Sequence, residues 1–168
     1  MKVAITGHTK GLGRAFYEAF PGSLGFSRSN GYDIGDPIYR DLIMDESMTC
    51  DVFINNAYHP TGQLALLQDL LKTNKMIIHI GSNIIYKPEI VDIYSLREYY
   101  EAKMAMHQLC RSRLDAKLIN VIPGSMDTPM IAHAPVPKMD PREVVNFVLD
   151  AIKRPFCVKE VLIDVRAG

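Results

Sequence analysis

The chain has 168 residues, enough for one well-buried core and few for two, and its 48% apolar and 23% charged content is that of an ordinary water-soluble fold. Nineteen Lys and Arg residues balance nineteen Asp and Glu, so there is no basic excess to hold a phosphate backbone and no nucleic-acid partner is expected. No apolar run reaches the ~18 residues of a membrane span, no secretory leader is expected at the N-terminus, and the scattered cysteines (Cys50, Cys110, Cys157) suit free thiols in a reducing cytoplasm.

From the N-terminus, short apolar runs alternate with helical stretches. Val3–Thr6, Leu24–Ser27, Val52–Asn55, Met76–Ile80, Leu118–Ile122 and Val161–Val165 lack the polar alternation of a half-exposed sheet, so they read as strands buried on both faces. Leu12–Phe20, Ile38–Met48, Gln63–Lys72, Ser95–Arg113 and Pro141–Lys153 read as the intervening helices. Asp140 followed by Pro141 has the form of an N-cap with proline at the first helical position. Strands separated by helices imply right-handed βαβ crossovers, hence one α/β domain over residues 1–168 with a parallel, doubly wound sheet in three layers. The irregular stretches Tyr58–Thr61, Asn83–Tyr94 and Ser125–Met139 each follow a strand. They should therefore gather at the carboxyl edge of the sheet, where ligands bind in such folds.

The first strand runs into Thr6-Gly7-His8-Thr9-Lys10-Gly11-Leu12-Gly13-Arg14. Gly7 permits a sharp turn, Gly11 a close approach of backbone to a pyrophosphate, and Gly13 tight packing of the helix that follows. Phosphates would sit at the helix N-terminus, where free N–H groups and the helix dipole favour negative charge. A glycine trio alone could merely make a tight turn; its place between the first strand and first helix points to a dinucleotide.

The spacing Thr-Gly-x-x-x-Gly-x-Gly resembles the cofactor signature of the short-chain dehydrogenases/reductases, and five further segments resemble that family in its order. Asp33-Ile34 resembles the pair that holds adenine, and Asn55-Asn56-Ala57 the segment after the family's fourth strand. Ser82 follows the fifth, Tyr99 and Lys103 supply Tyr-x-x-x-Lys, and Pro123-Gly124 with Thr128 resembles the loop that holds the nicotinamide. The resemblance spans Val3 to about Val165 and implies a sheet ordered 3-2-1-4-5-6-7. It also implies a cofactor contacted by Gly7, Thr9, Lys10, Gly11, Leu12, Gly13, Ser27, Arg28, Asp33, Ile34, Asn55, Asn56, Ala57, Tyr99, Lys103, Pro123, Gly124 and Thr128.

Carbonyl reduction by hydride needs a proton donor where negative charge develops on oxygen. A phenol with an ordinary pKa near ~10 holds its proton at neutral pH, and a nearby ammonium would lower that pKa. Tyr99 and Lys103, four apart on a helix, share a face; Tyr94 and Tyr100 have no lysine four residues on. The resemblance gives Ser82 the role of anchoring the substrate oxygen and Lys103 a second contact with the nicotinamide ribose. After the second strand stands Phe26-Ser27-Arg28-Ser29, with no acid until Asp33 to receive ribose hydroxyls or repel a 2′-phosphate. Arg28 can instead form a charge-assisted fork with that phosphate, and the resemblance implies the same partner for Lys10, just before Gly11; the alternative is two solvated surface charges, and NADP is the expected cofactor.

The chain departs from the family between Ala57 and Ser82, an interval much shorter than usual, which lacks the asparagine that helps relay protons. Alignment on Gly62 puts His59 in its place, with the bland alternative of a loop histidine before Pro60. The proline-rich stretch after Thr128 is short, and no substrate can be read from it. Met104, Met106 and Leu109 on the Tyr99 helix permit a homodimer as readily as core packing. The expectation is an NADPH-dependent oxidoreductase acting on a small carbonyl or alcohol. An NADP-binding sensor without turnover is the alternative, and a nucleotide-sugar enzyme is disfavoured by the short substrate region.

Overall fold

In the computed structural model, residues 1–129, 133 and 135–165 are described. Six parallel strands form one sheet: β1 (Val3–Thr6), β2 (Leu24–Phe26), β3 (Val52–Asn55), β4 (Met76–Ile80), β5 (Leu118–Pro123) and β6 (Glu160–Ile163). Their order is β2-β1-β3-β4-β5-β6. Five helices lie between them: α1 (Gly11–Ala19), α2 (Pro37–Glu46), α3 (Gly62–Leu70), α4 (Arg97–Ser112) and α5 (Pro141–Ile152).

Alternate residues on each strand face opposite layers, and each layer has its own core. Leu12, Phe16, Val144, Val145 and Val148 from α1 and α5 pack on Val3, Ile5, Ile54, Ile78 and Val121. Ile43, Leu66, Leu67, Leu70 and Met106 from α2, α3 and α4 pack on Ala4, Phe53, Ile77 and Leu118. This is the three-layer, doubly wound Rossmann-like arrangement that the alternation of runs implied. Asp140 caps α5 by accepting from the Arg142 N–H, and Pro141 takes the first turn.

Two expectations are corrected. The sheet has no counterpart of the family's third strand among the described residues, so the order is not 3-2-1-4-5-6-7. After β2 the chain makes a short 3₁₀ turn at Arg28–Asn30 and reaches α2 through Gly31–Asp36. That segment is rich in Ser, Asn, Gly and Asp and offers no apolar run to bury as a strand. The edge strands are also not buried on both faces: β2 and β6 expose Leu24 and Leu162, because one neighbour is missing on each side.

The parallel pairing places the ends of β1, β3, β4 and β5 on one edge, together with the segments after them. The reversal of strand order between β1 and β3 opens the crevice there. The Ser125–Met139 stretch lies partly outside the described residues. Among the described residues, no helix is long and apolar enough to cross a membrane.

Candidate functional site

The glycine turn is built for close approach. Gly7 (φ 73°) and Gly11 (φ 53°) adopt left-handed backbone that favours glycine. A Cβ on Gly13 would collide with the Gly7 carbonyl oxygen and lie 2.5 Å from Asn56 Nδ2. Asn56 secures the turn by donating from Nδ2 to the Thr6 carbonyl at 3.0 Å. Thr6 Oγ1 accepts from the N–H groups of Asn56 (3.0 Å) and Ala57 (3.1 Å). Lys10, at the N-cap of α1, makes no side-chain cap, and Leu12 is buried in the core. Thr128 reaches over this turn, since its Cγ2 lies 3.1 Å from where a Gly11 Cβ would stand. The expected pyrophosphate and nicotinamide segments therefore meet. Gly13→Ala should cost about 1–3 kcal/mol of stability through this collision with backbone. The urea midpoint checks this, together with loss of cofactor binding.

At the other end of the crevice, Ile34 is buried and Asp33 Oδ1 accepts from the Gly35 N–H at 2.9 Å. The adenine-type pair thus stands in a turn without a strand behind it. Ser27 is tied to Ser29 (2.8 Å) and Asn30 (3.0 Å), whereas Arg28 and Lys10 are exposed and carry no ion-pair partner among the described residues.

Ser82, Tyr99 and Lys103 come together at the ends of β4 and α4. Ser82 caps the 3₁₀ turn after β4, its Oγ accepting from the Ile84 N–H at 3.3 Å, and its hydroxyl acts on the Tyr99 phenol by lowering its pKa. The segment between them folds back as two 3₁₀ turns whose Ile84, Ile85 and Val91 pack against Tyr99, Tyr100 and Met104. The Tyr99 ring meets Tyr58 edge to face at 4.8 Å. Lys103 is only 3% exposed, with Nζ donating to Gln63 Oε1 (2.9 Å) and the Ile80 carbonyl (3.0 Å). That ammonium lies 5.5 Å from the Tyr58 ring and 5.6 Å from the Tyr99 ring.

The electrostatics differ from the expectation that Lys103 lowers the Tyr99 pKa. Burial pushes the Tyr99 phenol up, and the Ser82 hydroxyl pulls it down by less. Burial also lowers Lys103 to about 7, because its two acceptors are neutral. The polypeptide by itself thus keeps Tyr99 protonated and gives Lys103 a labile proton near neutral pH.

His59 does not meet Lys103. Its Nδ1 accepts from the Gly62 N–H at 3.0 Å, capping the start of α3, and its ring lies over Gly35. Gln63 stands against the lysine instead, fully buried, with Nε2 donating to the carbonyls of Asn55 (3.1 Å) and Ile80 (3.3 Å). Gln63, Thr6 and Tyr58 are site residues that the sequence reading missed. A signal for Gln63 was present: with Leu66, Leu67 and Leu70 it forms one helical stripe, a polar side chain on a buried face.

Asn55 supports Gln63 by donating from Nδ2 to its carbonyl at 3.1 Å. Pro123 is buried at the end of β5, and Gly124 donates to the Ile163 carbonyl at 2.7 Å. Asp164 occupies the space that a Gly124 side chain would need, accepting from Asn83 Nδ2 at 2.8 Å.

No family model and no curated protein matches the chain. Solved structures match over nearly all of it. A short-chain dehydrogenase from Burkholderia cenocepacia in complex with NADP is 21% identical with a TM-score of 0.74, over 96% of this chain and 87% of that one. A closed-form serine dehydrogenase complexed with NADP+ is 16% identical with a TM-score of 0.74, over 97% and 94%. A 3-alpha-hydroxysteroid dehydrogenase from a Pseudomonas species, complexed with NADH, is 18% identical with a TM-score of 0.72, over 98% and 95%. The chain has the fold of the short-chain dehydrogenases/reductases.

Proposed function

We propose that the chain is a short-chain dehydrogenase/reductase that transfers a hydride from NADPH to the carbonyl carbon of a small molecule. The observation that carries this reading is the meeting of Ser82, Tyr99 and Lys103 beside a glycine turn whose Gly13 admits no side chain. The pyrophosphate would rest on the N-terminus of α1, the adenine near Asp33 and Ile34, and the nicotinamide near Pro123, Gly124 and Thr128. NADPH supplies the hydride when bound. Ser82 would hold the substrate oxygen, and Tyr99, kept protonated by burial, would donate its proton as that oxygen gains charge. Lys103 then returns a proton to Tyr99, a step for which a pKa of about 7 suits it. Loss of NADPH absorbance with a panel of aldehydes and ketones tests the activity.

Preference for NADPH rests on Arg28, after β2, and Lys10, at the N-cap of α1, both exposed and without an ion-pair partner among the described residues. Arg28→Ala should weaken NADPH by about tenfold, ~1.4 kcal/mol, and leave NADH unchanged, as read by titration of cofactor fluorescence. Equal wild-type affinities for the two cofactors would remove the preference.

The second reading, an NADP-binding sensor without turnover, draws on one observation. Lys103 is held by Gln63 and Ile80 rather than poised against the Tyr99 phenol.

A further inference from the structure

Four polar side chains stand at one register across four neighbouring strands. Asn55 on β3 pairs with His79 on β4, His79 with Asn120 on β5, and Asn120 with Glu160 on β6. In-register residues of a parallel sheet face the same layer, here the one covered by α4. From that helix Lys103 and His107, one turn apart and both buried, face the row. Asn55, His79 and Asn120 are 0%, 0% and 1% exposed, an unusual polar line through an otherwise apolar core.

The row is bonded at both ends and open in the middle. At one end Lys103 bonds Gln63, whose carbonyl accepts from Asn55 Nδ2, and the same amide lies 3.4 Å from His79 Nδ1. At the other, Asn120 Nδ2 donates to Glu160 Oε2 at 3.0 Å, and His107 Nδ1 lies 3.3 Å from both. Between them Asn55 Oδ1, His79 Nε2 and Asn120 Oδ1 are buried without a hydrogen-bond partner among the described residues. Since His79 Nδ1 accepts from Asn55, Nε2 carries the proton and is a donor, while the two amide oxygens are acceptors. Gly81, next on the same face of β4, contributes no side chain where a Cβ would lie 3.4 Å from Asn120 Oδ1.

We propose that His79 Nε2 and the side-chain oxygens of Asn55 and Asn120 bind internal water beneath α4, and that this water returns protons to Lys103 from His107 and Glu160 at the β6 edge. A water that accepts from His79 and donates to an asparagine oxygen gains the two to four partners buried water requires, about three. Lys103 Nζ has three protons and spends two on Gln63 and Ile80, leaving one to donate to such a water. After Tyr99 has given its proton to the substrate oxygen and taken one from Lys103, the neutral amine takes a proton from the water. The water is reprotonated by His107, and His107 by solvent through Glu160, whose side chain is 33% exposed. One proton enters for each carbonyl reduced. Among the described residues, the charged and titratable groups around the row are Lys103, His107 and Cys110 from α4, Glu160 from β6, and Tyr86, whose ring meets the His107 ring edge to face at 6.0 Å.

The route rests on the reductase reading; the water site does not. Two measurements on the full chain separate them. A high-resolution crystal structure with NADPH should show ordered water within hydrogen-bond distance of His79 Nε2 and Asn120 Oδ1; a dry row overturns the site. Glu160→Gln, a change on a partly exposed side chain, should lower kcat about tenfold and leave NADPH affinity and the melting temperature unchanged. Added imidazole at constant pH should restore the rate, which no purely structural role of Glu160 would produce. Unchanged turnover in Glu160→Gln, or a slow variant that imidazole does not rescue, overturns the route. If the wild type reduces no carbonyl, the reductase reading fails and takes the route with it, while the crystal structure still decides the water site.

Discussion

Tyr99→Phe is expected to cut carbonyl turnover by at least about a hundredfold while leaving NADPH affinity nearly unchanged. The substitution removes one hydroxyl and keeps the ring that packs on Tyr58 and against Ile84, Ile85 and Val91. Protein stability should therefore hold, and the loss should fall on kcat. General acid catalysis by a positioned side chain contributes about 10²–10⁴-fold, so a smaller loss would mean that another group supplies the proton. The rivals are few. Tyr58 is the nearest second phenol, and burial and the neighbouring Glu98 push its pKa up as well. Single-turnover rates of Tyr99→Phe and Tyr58→Phe side by side decide between them.

The second large effect is on stability. Lys103 is depressed from 10.5 to about 7 by burial. Between those values the unfolded chain holds a proton that the folded chain does not, so stability rises with pH across this window. The contribution is fully present above about 10.5 and is lost as the pH falls through about 7. From pH 7 to 9, wild type should gain roughly 2–3 kcal/mol relative to Lys103→Met, a slope approaching ~1.4 kcal/mol for each step of one in pH. Denaturant unfolding of both proteins at the two pH values measures it. Parallel pH curves would mean that Lys103 reaches solvent in solution. The same variant should lose turnover, since Met returns no proton to Tyr99.

The fold was legible because its information is local. Strands β1, β3 and β4 have the bounds that their apolar runs gave, and the α5 start follows from Asp140 and Pro141. The strand order was misread at one edge because the resemblance supplied a third strand, and Ser27–Asp36 has no apolar run to build it. The glycine turn and the shared face of Tyr99 and Lys103 were legible from spacing, and the resemblance added Ser82, which the end of β4 brings to the same place. What surrounds Lys103 was not. Gln63 and Asn55 meet it through side-chain contacts across three elements, and no spacing in the chain encodes such contacts. The Tyr99 and Lys103 pKa directions escaped for the same reason: they follow from burial, which depends on the loop after β4 folding back over α4. His59 was placed by alignment on Gly62, and geometry gives its ring nitrogen to the start of α3.

The most direct test of the central claim is transfer of label from NADPH deuterated at C4 of the nicotinamide. The protein is incubated with that cofactor and the carbonyl panel, and the products are analysed by mass spectrometry. The reductase reading predicts that, for at least one carbonyl and with one of the two C4 epimers, deuterium appears on the new carbinol carbon in equal amount to the NADP+ formed. It also predicts that Tyr99→Phe abolishes the transfer. Tight NADPH binding with no deuterium in any product would contradict the reductase reading and leave the chain as an NADP-binding sensor.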